Sequence, residues 1–283
     1  MDTTKLINID GKLLDLSSPV VMAILNVTPD SFFSESRKFT DEDIKKRVIS
    51  VIDDGASIID IGGYSSRPGA DDVSSNEELS RLRKGVAIIK QINYNIPISV
   101  DTFRSEIVAE LYNEYGEFIV NDISAGELDI HMLETVGRLG LPYIAMHMKG
   151  SPKDMQNNCE YDNVKNDVIG YFSKNIEKYL HHGIKDVIID PGFGFSKNIE
   201  QNFQLLNGLK DFSIFGFPVL AGISRKTMIW KTLGIKPEEA LNGTTALHWE
   251  CLRQGASILR VHDVPEAVQV VKLHNKFKES NNI

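Results

Sequence analysis

The residues best suited to chemistry sit in short polar clusters that follow apolar runs. Asp101-Thr102, Asn121-Asp122 and Asp190-Pro191-Gly192-Phe193-Gly194-Phe195 supply carboxylates and an amide. His147-Met148-Lys149-Gly150, Ser224-Arg225-Lys226 and Arg260-Val261-His262-Asp263 supply cations. Two further clusters are rich in turn residues: Asn26-Val27-Thr28-Pro29-Asp30-Ser31-Phe32, and Asp60-Ile61-Gly62-Gly63 with Ser65-Ser66-Arg67-Pro68-Gly69 behind it. A carboxylate accepts two N–H donors side by side, and an amide both donates and accepts. A guanidinium suits phosphate oxygens. Arg260 and His262 are two residues apart, so on a strand their side chains point the same way. No Ser/His/Asp or Cys/His nucleophile arrangement stands out. The set suits binding, orientation and charge neutralisation.

Each cluster needs a strand to present it. Strand-like runs rich in Val and Ile are Val20–Leu25, Ser57–Ile61, Ile98–Asp101, Phe118–Asn121, Tyr143–His147, Val187–Asp190, Pro218–Ala221 and Ser257–Val261. Helical patterns alternate with them: Asp43–Asp54, Glu77–Ile92, Arg104–Tyr115, Asp129–Leu139, Val164–His181, Ile199–Leu209, Glu238–Gln254 and Pro265–Lys278. Thr40 or Asp41 is the N-cap expected for the first helix. Gly55, Gly183 and Gly255 read as helix-ending glycines. Eight such units leave a closed barrel or an open doubly wound sheet. Strand count, length and the lack of a G-x-G-x-x-G turn after the first strand favour a TIM-type (β/α)8 barrel. Leu6–Leu16, with Asp10-Gly11 at its centre, reads as a β-hairpin preceding the barrel and covering its lower end. No linker or composition shift divides the chain, so residues 1–283 read as one domain.

Composition narrows the partners. The 283 residues are 42% apolar and 25% charged, with net charge −8. Nucleic acid and anionic membrane surfaces each need a basic face, so neither is expected. An anionic small molecule remains open where a few basic residues converge. Cys159 and Cys251 have no metal-ligand spacing and read as reduced, inert thiols. Met1 to Leu16 lacks the apolar core of a signal peptide, and no apolar run is long enough for a bilayer. A cytoplasmic protein is expected.

Taken in order, Asn-Val-Thr-Pro-Asp-Ser-Phe, Asp-Ile-Gly-Gly-x-Ser-x-Arg-Pro-Gly, Ser-Val-Asp-Thr, Asn-Asp-Ile, Met-His-Met-Lys-Gly, Asp-Pro-Gly-Phe-Gly-Phe, Ser-Arg-Lys and Arg-Val-His-Asp closely resemble the dihydropteroate synthase family. The resemblance runs from about Val20 to Val264. It implies joining a dihydropterin pyrophosphate to p-aminobenzoate with release of pyrophosphate. By that resemblance Asp190 binds the aminopyrimidinone edge of the pterin, helped by Asp101 and Asn121. Lys226 reaches the pterin and borders the p-aminobenzoate pocket, with Ser224, Phe195 and Pro68 around it. Arg260, His262, Ser66 and Arg67 match the pyrophosphate ligands, and Asn26 the residue that contacts Mg2+. The family is commonly a homodimer, and its loops over Thr28–Thr40 and Tyr64–Ser75 close over the substrates.

Blander readings stand beside these. Asp190 could serve only as a turn aspartate before Pro191-Gly192. Lys226 could be a solvated helix-start lysine. Arg260 could pair with Asp263 at the surface, and Arg225 reads as structural. The chain departs from the commonest family pattern at Tyr64 (for Glu), Ser66 (for Thr), Ser196 (for Gly) and Thr227 (for Ser). A pterin-dependent methyltransferase and a non-catalytic pterin-binding paralogue are the alternatives.

Overall fold

The computed structural model describes residues 5–28, 40–64 and 73–280. Two antiparallel strands, β1 (Leu6–Ile9) and β2 (Lys12–Asp15), come first. Asp10 and Gly11 turn between them with φ of 52° and 71°, the positive pair a two-residue hairpin turn requires.

Eight parallel strands follow: β3 (Val20–Asn26), β4 (Ile58–Gly62), β5 (Ile98–Asp101), β6 (Ile119–Asp122), β7 (Tyr143–Met146), β8 (Val187–Asp190), β9 (Leu220–Ala221) and β10 (Ile258–Val261). They are hydrogen-bonded in the order β8-β7-β6-β5-β4-β3-β10-β9. A parallel bridge between Ile189 and Val219 joins the two ends and closes the ring. The barrel expected from the alternation is therefore formed, with strand bounds moved by a residue or two.

The packed helices are α1 (Asp41–Asp53), α2 (Ser75–Ile92), α3 (Ser105–Tyr115), α4 (Met132–Leu139), α5 (Val164–His181), α6 (Ile199–Asn207), α7 (Thr227–Leu233), α8 (Leu241–Arg253) and α9 (Val264–Ser280). Thr40 caps α1 in a full capping box with Asp43. Gly55, Gly183 and Gly255 have φ of 96°, 84° and 93°, as helix-ending glycines should. α7 lies outside the eight expected helices. Seven residues are too few to show a helical period, yet Met228 and Ile229 bury one face of it. The predicted Ile199–Leu209 helix breaks at Gly208 into a 3₁₀ segment, Leu209–Phe215.

Alternate residues of each strand face the barrel interior. The lowest layer is apolar: Met22, Ile58, Ile119, Ile144, Ile188, Leu220 and Ile258 pack with Ile7, Ile9 and Leu16. The hairpin thus plugs the base of the barrel, as its sequence suggested. Outward residues such as Val21, Ile59, Ile61, Val100 and Val120 join the larger core beneath the helices. The polar residues lie above the apolar floor, towards the strand C-termini. No described helix is long and apolar enough to cross a membrane.

Candidate active site

Strand register sets the site. Asn26 pairs with Gly62, Gly62 with Asp101, and Asp101 with Asn121, which puts four polar-cluster residues side by side. A Cβ built on Gly62 would lie 3.5 Å from Asn26 Oδ1 and 3.7 Å from Asp101 Oδ2. Only a residue without a side chain leaves that recess between the two oxygens open.

The centre of the site is a residue outside the predicted set. Asp60 sits mid-strand on β4 and is fully buried. Its carboxylate accepts from Ser99 Oγ at 2.6 Å, from Asn121 Nδ2 at 3.2 and 3.3 Å, and from Arg260 Nε at 2.6 Å. Arg260 also donates through a terminal nitrogen to Asp101 Oδ2 at 2.8 Å. Burial opposes the Arg260 charge, but Asp60 and Asp101 outweigh it and hold its pKa above the usual value. Burial lifts Asp101 to about 7 against the pull of Arg260. A charged residue amid the apolar run Ile58-Ile59-Asp60-Ile61 was the available sequence signal for Asp60, since burying a carboxylate needs a bound partner.

Asp190 lies at the end of β8 and is 7% exposed. One of its oxygens accepts the Gly192 N–H at 2.8 Å, so the turn role is present. Burial raises its pKa, opposed most by Lys226 and then by Gly192, with Arg260 contributing. Turn role and site placement therefore coexist in one residue. Lys226 is half-buried, and its ammonium donates to the Phe193 carbonyl and lies 4.6 Å from the centre of the Phe195 ring. Burial lowers its pKa to about 8, with Asp190 opposing. The solvated-lysine reading of Lys226 fails.

Ser224 is buried, and its Oγ accepts the His262 N–H at 3.2 Å and lies 3.1 Å from His262 Nδ1. Arg260 and His262 both face the mouth, but Arg260 turns inward to the carboxylates while His262 turns towards Ser224. Asp263 is taken by Arg225, in a two-pronged pair at 2.8 Å for each contact. Arg225 also donates to the carbonyls of Pro237 and Glu238, which ties the end of β9 to the start of α8. Its structural reading holds, and the surface pairing of Arg260 with Asp263 does not form.

Ser66, Arg67 and Pro68 lie outside the described residues, as do 29–39 of the first loop. The stems of the second loop are described. The Tyr64 ring meets Phe103 edge-on at 5.2 Å, and the Arg104 guanidinium lies 5.5 Å from it. Arg104 also donates to the Val73 carbonyl at 2.8 Å and to the wholly buried Glu78. The Tyr64 departure is thus matched by an aromatic and cationic seat.

Comparison with known proteins agrees with this geometry. Residues 22–262 match the family described as pterin binding enzyme. The chain is 43% identical to dihydropteroate synthase of Escherichia coli strain K12 over 265 residues, 93% of each protein. It is 41% identical to that of Haemophilus influenzae, covering 93% of this chain and 96% of the other. Among solved structures, Yersinia pestis dihydropteroate synthase in a sulfonamide drug complex superposes with a TM-score of 0.91 at 37% identity, covering 97% and 99% of the two chains. Xanthomonas albilineans dihydropteroate synthase with 4-aminobenzoic acid gives 0.89 at 35% identity, covering 98% and 99%. Neither the methyltransferase nor the non-catalytic alternative is favoured by these matches, and the chain belongs to the dihydropteroate synthase family of pterin-binding enzymes.

Proposed function

We propose that the buried cluster of Asp60, Asp101, Asn121, Asp190, Lys226 and Arg260 carries out dihydropteroate synthesis in this chain. The observation that carries the assignment is the convergence of residues from β4, β5, β6, β8, β10 and the β9–α7 turn on one mouth, linked through Arg260. The substrates are 6-hydroxymethyl-7,8-dihydropterin pyrophosphate and p-aminobenzoate. Asp190 and Asn121 receive the donor-rich edge of the pterin, since one accepts and the other does both. Phe195, and Pro68 by resemblance, wall the aryl amine beside Lys226 and Ser224. A cavity of about 710 Å³ lined by Gly194, Asn202, Thr227 and Lys231 lies next to that wall.

The bond from the pterin methylene carbon to the pyrophosphate oxygen breaks, and a bond from that carbon to the amine nitrogen forms. The new amine then gives up one proton. Asp101 stabilises positive charge growing on the methylene, while Arg260 and His262 with Ser66 and Arg67 receive the charge that departs. Fixed orientation of both substrates supplies much of the rate. The Asn26 side-chain oxygen beside the Gly62 recess suits a hard cation, while Asp101 Oδ2 is held by Arg260. Among the described residues no group of three or more His, Cys, Asp and Glu could hold a metal, so substrate oxygens would complete the shell of a magnesium ion. Magnesium, when bound, neutralises charge on the leaving group.

A homodimer and a cytoplasmic location complete the reading. The exposed Leu273 and Phe277 on α9 support contact with a second copy, and the net charge of −8 speaks against nucleic acid as a partner. The test is incubation with both substrates and magnesium, followed by assay for dihydropteroate and pyrophosphate. Arg260→Ala should lower turnover by roughly 100-fold or more, as loss of a charge-stabilising donor does. Near-normal pyrophosphate release would remove Arg260 from the mechanism.

A further inference from the structure

Lys197 lies two residues before α6, between the cavity beside Gly194 and the β8–α6 turn. It is 3% exposed and sits behind the turn that joins β8 to α6. Its ammonium donates to the Gly192 carbonyl at 3.0 Å, to the Phe195 carbonyl at 3.0 Å and towards the His147 carbonyl at 3.4 Å. It also lies 3.0 Å from His147 Nδ1. An ammonium has three protons and no lone pair, so a cage of acceptors suits its charged form, while burial pulls the Lys197 pKa down to about 7 with Asp190 opposing. Beside the charged form, His147 presents a bare Nδ1 and carries its proton on Nε2. Burial and the neighbouring lysines push the His147 pKa down to about 2, which keeps the ring neutral. The ring itself is held edge-on against Tyr171 at 4.9 Å.

Between the two clamped carbonyls lies the part of the turn that meets the site. Phe193 offers its carbonyl to Lys226, and Phe195 offers its ring. We propose that Lys197 is a positioning residue, whose caged ammonium and His147 partner hold residues 192–196 in the shape that presents Phe193 and Phe195 to Lys226 and the aryl amine. The inference rests on the assignment of dihydropteroate synthesis to this mouth. It accounts for a buried lysine that the mechanism does not otherwise use. It also places the His147 of the β7 end, which no substrate role claims.

The experiment pairs kinetics with amide hydrogen exchange on the full chain, comparing wild type with Lys197→Met. Exchange at Gly194, Phe195 and Lys149 reports the turn, because their N–H groups are bonded to Asn202, Gly192 and Ser196. The expected result is faster exchange at those amides together with a KM for p-aminobenzoate raised about 10-fold or more, because a displaced wall gives up contact with the bound amine in ground and transition state alike. The KM for the pterin substrate and kcat should stay within about 3-fold of wild type. Unchanged exchange, or a fall in kcat with both KM values unchanged, overturns the proposal. If Lys197→Met does not fold, His147→Leu removes the Nδ1 acceptor together with the ring's contact with Tyr171, leaves the three carbonyl acceptors in place, and should move the same two readouts less far; no movement overturns the proposal equally. A wild-type protein that makes no dihydropteroate would count against the assigned activity, while the exchange comparison would still decide the role of Lys197.

Discussion

Arg260 Nε lies 2.6 Å from Asp60 Oδ2, and the two residues are separated by 200 positions in the chain. The contact spans the barrel interior between β10 and β4. It gives a wholly buried carboxylate the cation it needs, and it aims the rest of the guanidinium at Asp101. The pair therefore fixes the geometry of a site whose outer residues meet substrate.

Asp60→Ala leaves Arg260 and Asn121 without their shared acceptor. Removing one partner of a buried ion pair costs about 3–5 kcal/mol. Urea unfolding should show a loss of that size, with Arg260 no longer held and activity lowered as well. A variant as stable as wild type would mean that the Arg260–Asp101 contact alone supports the guanidinium.

The pKa of Asp101 sets a slope of stability against pH. Burial raises it in the folded chain to about 7, against roughly 3.9 when unfolded. Between those values the folded state binds more protons than the unfolded one. The contribution to stability is therefore complete below pH 4 or so and is lost as pH rises through about 7. Burial of Asp190 acts in the same direction. Asp101→Asn cannot titrate, so its urea midpoint should fall less between about pH 4 and 8 than that of wild type. Parallel curves for the two proteins would contradict this.

Ser196 is a non-glycine residue whose φ is 46°. A left-handed non-glycine costs of order 1–3 kcal/mol. The Ser196 hydroxyl offsets it by accepting the Lys149 N–H at 2.8 Å and lying 3.4 Å from the Tyr161 hydroxyl. Ser196→Ala keeps the strain and orphans a donor, for a loss of about 1–3 kcal/mol. Ser196→Gly relieves the strain while losing the same bond, and should stay within about 1 kcal/mol of wild type. Thermal unfolding of both would decide it; a Ser196→Ala midpoint equal to that of wild type would show that the hydroxyl does not matter.

Gly192 has φ of 75°, and a Cβ there would stand 2.0 Å from the His147 carbonyl oxygen. Backbone atoms cannot step aside as a side chain can. Gly192→Ala should destabilise by about 4 kcal/mol or more, and survivors should bind p-aminobenzoate poorly. Calorimetric titration with p-aminobenzoate in the presence of a pterin ligand would measure the second effect. Wild-type affinity in a folded Gly192→Ala protein would show that the turn can be rebuilt without loss.

Asp101, Asn121, Asp190 and Arg260 were legible because each closes or nearly closes an apolar strand, where a polar residue has no reason to stand unless it faces the mouth. Asp60 heads the second turn-rich cluster, but its central role was hidden, since it lies inside its strand and its partners come from β5, β6 and β10. Lys197 was hidden because a lysine beside a helix start normally reaches water, and nothing local announces a cage of carbonyls from β7 and its own turn. α7 escaped notice because Thr227–Leu233 is shorter than the period that reveals a helix. Arg225 takes the partner that proximity would give to Arg260: Asp263, the neighbour in sequence, goes to the arginine that is distant in the chain.

The stopper formed by Ile7, Ile9 and Leu16 against the barrel floor makes the molecule a cup with one rim. Reactants and products share that rim, and pyrophosphate has no rear exit. A ligand seated at the mouth has room to be lengthened upward, away from the closed floor that Ile144 and Ile188 help to form.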